Sequence, residues 1–224
     1  MNSPEPRLRR RRTQVERREE AEDNLIEAAI HLLARKGFDR ITLADVGVEA
    51  GYSRGLPIHY FGSKLALIRL VAQRLRDMTE RQFQGIEPGL QGLDSIKRLV
   101  QHYFARPTAG RDPSKAILTL LIESLHEDSE IADISRSYVA FWTDFAKQRF
   151  DEAVALGQMP ADTDTFLQSV LLVGALRGAM LQHMVDPAKF DLKDVGDALL
   201  ANIELFRKST KPESGSRENL RFRG

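Results

Sequence analysis

Apolar residues recur along this chain at spacings of three and four, and no stretch alternates at period two for long enough to suggest a sheet. The fold class this predicts is all-α. The clearest stripe is Leu25, Ala28, Ala29, Leu32 and Leu33, with Glu and Arg on the opposite face, and it stops at Gly37. Later breaks are expected at Glu87-Pro88-Gly89, from Arg106 to Pro113, from Gly157 to Ala161 and from Asp186 to Asp191, where Gly, Pro or Asp cluster. Residues 165–185 are apolar nearly all round, and such a helix needs cover on more than one side. Gly174 and Gly178 lie four apart on it, a small-residue pair that permits close helix approach, and Val195, Leu199, Ile203 and Phe206 form a stripe on the last helix. The stretch from Ser209 to Gly224 has Pro, Gly, Ser and charge but no stripe, which predicts a disordered tail.

One segment departs from plain core patterning. Residues 42–61, TLADVGVEAGYSRGLPIHYF, have the layout of two short helices joined by a tight turn. Thr42 is a good N-cap, Asp45 is the capping-box acid three residues on, and Val46 supplies an inward apolar contact. Gly47 inside that helix costs roughly 1 kcal/mol relative to alanine, so its presence implies a second helix passing too close for a side chain. Gly51 can end the helix in a left-handed conformation, and Ser53 is expected to cap the next. This is a helix-turn-helix, an arrangement in which the second helix enters the DNA major groove and presents its N-terminal residues to base edges. The second helix, Arg54 to Phe61, carries suitable chemistry: Arg54 can pair with guanine, His59 and Tyr60 can donate to phosphate or base, Gly55 allows close approach, and Leu56 and Ile58 can touch thymine methyls. Lys64 follows Ser63, the expected cap of the next helix, at a place suited to a phosphate.

Charge strengthens this reading. The net charge is only +1, yet residues 1–18 hold seven Arg against two Glu, while residues 19–65 hold five basic against eight acidic side chains. Taken alone, Arg9, Arg10, Arg11 and Arg12 fit either a solvated tail or an arm that neutralises phosphate. Next to a helix-turn-helix, an arm following the adjacent minor groove becomes a specific expectation. With 42% hydrophobic and 29% charged residues the composition is that of a globular protein. The apolar run Val170 to Leu176 is cut by Arg177, short of the roughly 20 residues a membrane span needs, and no apolar segment after the arginines resembles a secretory signal. A cytoplasmic protein without a membrane partner is expected, and the absence of cysteine excludes disulfides and thiolate chemistry.

The residues around the motif resemble the tetracycline-repressor (TetR) family over about residues 20–70. The features in register are Gly37-Phe38, Thr42, Ala50-Gly51-Tyr52-Ser53 and Tyr60-Phe61-Gly62-Ser63-Lys64. The resemblance implies that Thr42 and Lys64 hold phosphates and that Arg54, Gly55, Leu56, Ile58, His59 and Tyr60 face the groove. Two positions depart from the family: Pro57 replaces a leucine-type residue, and Ile58 stands where tyrosine is common. The resemblance also implies a C-terminal helical bundle with an inducer cavity and a dimer interface built from the last two long helices.

The division expected is a basic arm over residues 1–18, a three-helix DNA-binding domain over 19–66, a ligand-binding and dimerisation domain over 67–208 and a tail over 209–224. Tyr103, Phe104, Glu123, His126, Phe141, Trp142, Phe145 and Met180 are candidates to line a ligand cavity. Leu171, Gly174, Gly178, Leu181, Leu199, Ile203 and Phe206 are candidates for the interface between two copies. The partners expected are double-stranded DNA, a small-molecule inducer and a second copy of the chain, with no cofactor and repression favoured over activation.

Two other classes stay open at this point. Glu123-Ser124-Leu125-His126 has the E-x-x-H spacing of helical di-iron sites, but a second copy and the common hydrolase and nucleotide-binding motifs are missing, so an enzyme is not expected. A helical scaffold would require the helix-turn-helix pattern to be accidental.

Overall fold

The computed structural model describes residues 13–84, 89–105 and 113–209. Among these residues there are nine helices and no strand: α1 (Gln14–Lys36), α2 (Leu43–Glu49), α3 (Leu56–Phe61), α4 (Lys64–Gln84), α5 (Gly92–Phe104), α6 (Pro113–Glu123), α7 (Ala132–Ala155), α8 (Thr165–Val185) and α9 (Leu192–Ser209). The all-α expectation is met. The chain divides into two compact units, Met1–Arg76 with Ala109–Ile134, and Asp77–Thr108 with Ser135–Gly224. The division runs through α4 and α7 and groups α6 with the N-terminal helices, whereas the sequence suggested a boundary near residue 66.

In the first unit, α1 starts earlier than its charge pattern suggested. Residues 14–18, expected in the disordered arm, are helical because Thr13 and Glu16 form a capping box. The Glu16 N–H donates to Thr13 Oγ1 at 3.2 Å and the Thr13 N–H donates to Glu16 Oε2 at 2.7 Å. Residues 1–12, including Arg9 to Arg12, lie outside the described residues, as do 210–224. The α1 stripe is buried from Leu25 to Ala34 and packs on α2 and α6, and the helix ends at Gly37, whose φ of 83° favours glycine. Ion pairs join α1 to α4 through Asp23 and Arg74, and the start of α4 to the first turn of α7 through Arg69 and Asp133, 2.7 Å apart.

A break the sequence pattern did not announce separates α6 from α7. Residues 124–131 form turns, and Asp128 takes a left-handed φ of 62° in a segment with neither Gly nor Pro. Glu123 therefore ends α6 and His126 lies in the turn beyond it, so the E-x-x-H pair does not sit on one helix face. Their side chains approach only to 4.0 Å, and His126 is exposed.

In the second unit, α5 is the hub, packing on α8 and α9 with Leu93, Ile96, Leu99, Val100 and Phe104 buried. Its start is fixed from α7 and the turn after it: the Gly92 N–H donates to Glu152 Oε2 and the Leu93 N–H to Gln158 Oε1. Gly92 has φ 57°, and a Cβ there would lie 3.0 Å from the Ala153 Cα. Lys97 and Glu204 pair between α5 and α9. Along α8, Ser169, Leu172, Val173, Leu176 and Met180 are buried at helical spacing. The other side exposes Phe166, Leu167, Val170, Leu171, Leu181 and Val185 within the single chain.

By length and composition α8 is long and apolar enough to cross a membrane. The expectation that Arg177 cuts the span short counted only uninterrupted apolar residues and is corrected on that point.

Gly92→Ala combines a positive φ with contact to backbone, a strain that no flexible side chain can relieve. We expect it to lower stability by about 1–3 kcal/mol in denaturant unfolding, and Gly157→Ala, where a Cβ meets nothing within 4 Å, to cost less.

Candidate functional site

The polar residues singled out in the first unit converge on α2, α3 and the turn between them. Thr42 caps α2, with its Oγ1 accepting the Asp45 N–H at 3.1 Å and its own N–H donating to Asp45 Oδ2 at 3.2 Å. Those two Thr42 bonds hold the Asp45 carboxyl below its ordinary pKa, helped by the positive charge of Lys36 and Arg54. The predicted close approach at Gly47 is present and severe. A Cβ there would fall 2.5 Å from the Ser53 carbonyl oxygen and 3.1 Å from Pro57 Cδ. The Gly47 carbonyl accepts the Tyr52 N–H at 2.8 Å, and Gly51, at φ 79°, makes the turn.

The second helix is shorter than expected. It begins at Leu56, and Arg54 and Gly55 sit in the turn before it. Ser53 does not cap it by its side chain; the Ser53 carbonyl accepts the Leu56 N–H at 3.1 Å instead. Pro57 thus occupies the second helical position, where a backbone N–H has no intrahelical acceptor, so its missing donor costs the helix nothing. Its ring is buried in the angle that Gly47 leaves open.

This register gives one solvent-facing set: Arg54, Gly55, Ile58 and His59 are exposed, Leu56 and Tyr60 are half-buried, and Phe61 points into the core. Ile58, 59% exposed, is an apolar side chain that nothing in the unit covers. Lys64 is more engaged than expected, with its ammonium 4.0 Å from the Phe38 ring centre and 3.4 Å from the Asp39 carbonyl, so it also pins the start of α4 to the turn after α1. Ser63 does cap α4, accepting the Ala66 N–H at 3.1 Å.

Two residues given no role from the sequence join this surface. The Arg18 guanidinium lies 5.9 Å over the Tyr60 ring, bringing a cation from α1 to the exposed side of α3. Tyr52 accepts from Asn24 at 3.1 Å and so ties the turn to α1. The Thr13-x-x-Glu16 pattern was the signal available for Arg18, because it places that residue one turn inside a helix. His31 and Arg35 of α1 both reach Glu49 at the end of α2, at 2.5 and 3.6 Å.

The remaining candidates fall into two groups. Glu123 and His126 belong to the first unit, and the aromatic residues they were grouped with belong to the second. In the second unit, Trp142 is edge-on to Phe141, Phe145 and Tyr138, with ring centres 5.2 to 6.3 Å apart, and Tyr103 is edge-on to Phe104 at 5.4 Å. Phe104 also meets Gly196 of α9, and Met180 is fully buried. Of the interface candidates, Leu171, Gly174 and Gly178 line an open apolar groove between α8 and α9, Leu181 is exposed and Leu199 half-buried. Ile203 is buried within its own unit, which removes it from any exposed surface, and the Phe206 side chain lies outside the described residues. Among the described residues no three His, Asp or Glu side chains gather as a metal site.

Comparison with known proteins gives the same first segment. The family model described as "Bacterial regulatory proteins, tetR family" matches residues 25–71. The HTH-type transcriptional regulator CymR of Pseudomonas putida is 42% identical over 73 residues, 32% of this chain and 36% of that relative. The chain spans 32% to 38% of the length of the first curated relatives it matches. Among solved structures, a Rhodococcus sp. protein described as a TetR-family transcriptional regulator superposes with a TM-score of 0.74 at 20% identity, covering 84% of this chain and 99% of that one. The transcriptional regulator FadR of Bacillus subtilis, in complex with stearoyl-CoA, gives 0.65 at 14% identity, covering 81% and 96%. At these identities the structural likeness is one of fold.

Thr42→Ala should cost about 1 kcal/mol at neutral pH. Because the folded state lowers the Asp45 pKa, that bond's contribution is present above the ordinary carboxylate range and lost as pH falls through the lowered value. Unfolding of the two proteins at a series of pH values should show their difference shrink towards acid pH.

Proposed function

Because residues 25–71 match the model of the tetR family of bacterial regulatory proteins, we propose that the chain is a dimeric operator-binding repressor of that family, released from DNA by a small molecule held in its second unit. The observation that carries the DNA-binding reading is the solvent-facing set Arg54, Gly55, Ile58 and His59, held by the close packing of Gly47 on the turn and Pro57. Arg54 would read a guanine edge, Ile58 a thymine methyl, and Thr42, Tyr60 and Lys64 the phosphates, with Arg18 beside Tyr60. The four arginines from Arg9 to Arg12 would follow the neighbouring minor groove. Such a protein works beside bacterial DNA, in the cytoplasm.

The exposed apolar side of α8 supports a second copy as partner. Gly174 and Gly178 meet nothing within 4 Å in their own chain, so a partner helix can approach closely there, with Leu171 and Leu181 beside them. Two recognition helices would then enter successive major grooves about 34 to 36 Å apart on a near-palindromic operator. Ligand binding would favour a dimer of different spacing, and DNA affinity would fall by the ratio of ligand affinities for the two states.

The test is retention of duplexes from a random pool at near-physiological salt. Enrichment of a palindrome with half-sites about one turn apart is expected; salt-sensitive binding without enrichment, or no binding, would favour a helical scaffold. On the selected duplex, Arg54→Ala should cost about 1–3 kcal/mol and relax specificity at one base pair. Lys64→Ala and Arg18→Ala should weaken operator and unrelated DNA alike and flatten the salt dependence, and equal losses on both DNAs for Arg54→Ala would contradict its assignment.

A further inference from the structure

Helix α8 carries one permanent charge among its 21 residues, Arg177, and the structure half-buries it. The Arg177 guanidinium lies 5.8 Å over the Tyr138 ring. Burial pulls its pKa below the ordinary arginine value, against a smaller upward pull from the Tyr138 and Tyr103 hydroxyls, and no carboxylate acts on it. Among the described residues Asp and Glu form ion pairs with many Lys and Arg side chains, but none reaches Arg177. A half-buried cation without a counter-ion loses part of its hydration, and an aromatic face offsets only part of that.

A second polar group nearby is also unanswered. Trp142 is 8% exposed, its Nε1–H is buried with no hydrogen-bond acceptor, and its ring is edge-on to Tyr138, the residue that Arg177 covers. A buried N–H donor without an acceptor and a guanidinium without a carboxylate partner therefore share one aromatic cluster of the second unit, together with Phe141 and Phe145.

We propose that this cluster binds an organic anion, a carboxylate on a flat apolar body, with Arg177 as its counter-ion and the rings of Tyr138 and Trp142 against the body. The guanidinium supplies a paired-donor fork that matches a carboxylate, and exclusion of water strengthens the pairing. A cationic ligand would meet the same rings but be repelled by Arg177. The inference rests on the reading that the second unit holds a small molecule and adds the chemical class of that molecule.

The test uses the full chain and three probes sharing one ring: benzoate, benzamide and benzyltrimethylammonium, followed by calorimetry and by the emission of Trp142, the chain's single tryptophan. Naphthoate and its amide extend the series to a larger body. The acids are expected to bind at least about tenfold more tightly than their amides, and the cation more weakly than either. Arg177→Met should erase the preference while melting no lower than the parent, because it removes a half-buried charge that has no carboxylate partner.

Equal binding of acids and amides, preference for the cation, or no binding of any acid would overturn the proposal on the parent protein alone. A preference surviving in Arg177→Met, or a large drop in its melting temperature, would assign Arg177 to the fold instead. Retention of a selected duplex is a separate readout: if it holds while the acid preference is absent, the anion site fails and the regulator reading stands. If acids are preferred and no duplex is selected, the regulator reading fails and the anion site stands.

Discussion

The contact between Gly47 and the turn after it leaves no room for an added atom. Ser53's carbonyl oxygen occupies the space a Cβ would need, and the Pro57 ring closes the same angle from α3. Everything exposed on α3 follows from this. With the turn fixed by the Tyr52 N–H on the Gly47 carbonyl and by the left-handed Gly51, α3 can start only at Leu56, and that start sends Phe61 inward and Ile58 and His59 outward. The six residues of α3 are too few to hold a helix by themselves, so its orientation comes from packing. Anchors to α1 lock the pair further: Tyr52 to Asn24, Glu49 to His31 and Arg35, and Lys64 to the ring of Phe38.

The second unit shows a different balance. Its α8 buries one stripe against its own unit and leaves a second apolar stripe uncovered, a cost in water that association can recover. On the same helix an arginine is held among aromatic rings without a carboxylate. Both features cost a single chain some of the stability that full cover would give. Sites kept for binding commonly trade stability in this way.

Much of the first unit was legible from sequence because its signals are local. Caps such as Thr42-x-x-Asp45, the glycine at 47 and the stripe of α1 act within one or two helical turns. Where a tertiary neighbour decides, the reading slipped: Ser53 gives its carbonyl rather than its hydroxyl to α3, and Pro57, noted only as a departure from the family, fills the space beside Gly47. The break after Glu123 carries no Gly or Pro and depends on a left-handed Asp128, so periodicity alone passed over it. Ile203 belongs to the same apolar stripe as Leu199, yet only packing tells which member faces inward. Arg177 was visible only as an interruption of an apolar run; its chemical isolation needs coordinates.

The central claim is that the surface built on Gly47 is the one that meets DNA. Hydrogen exchange of the full chain, measured with and without a duplex it retains, tests this most directly. Slowed exchange concentrated in residues 42–64 and the first turns of α1 is the predicted result. Protection confined to α8 and α9, with residues 42–64 unchanged, would contradict it.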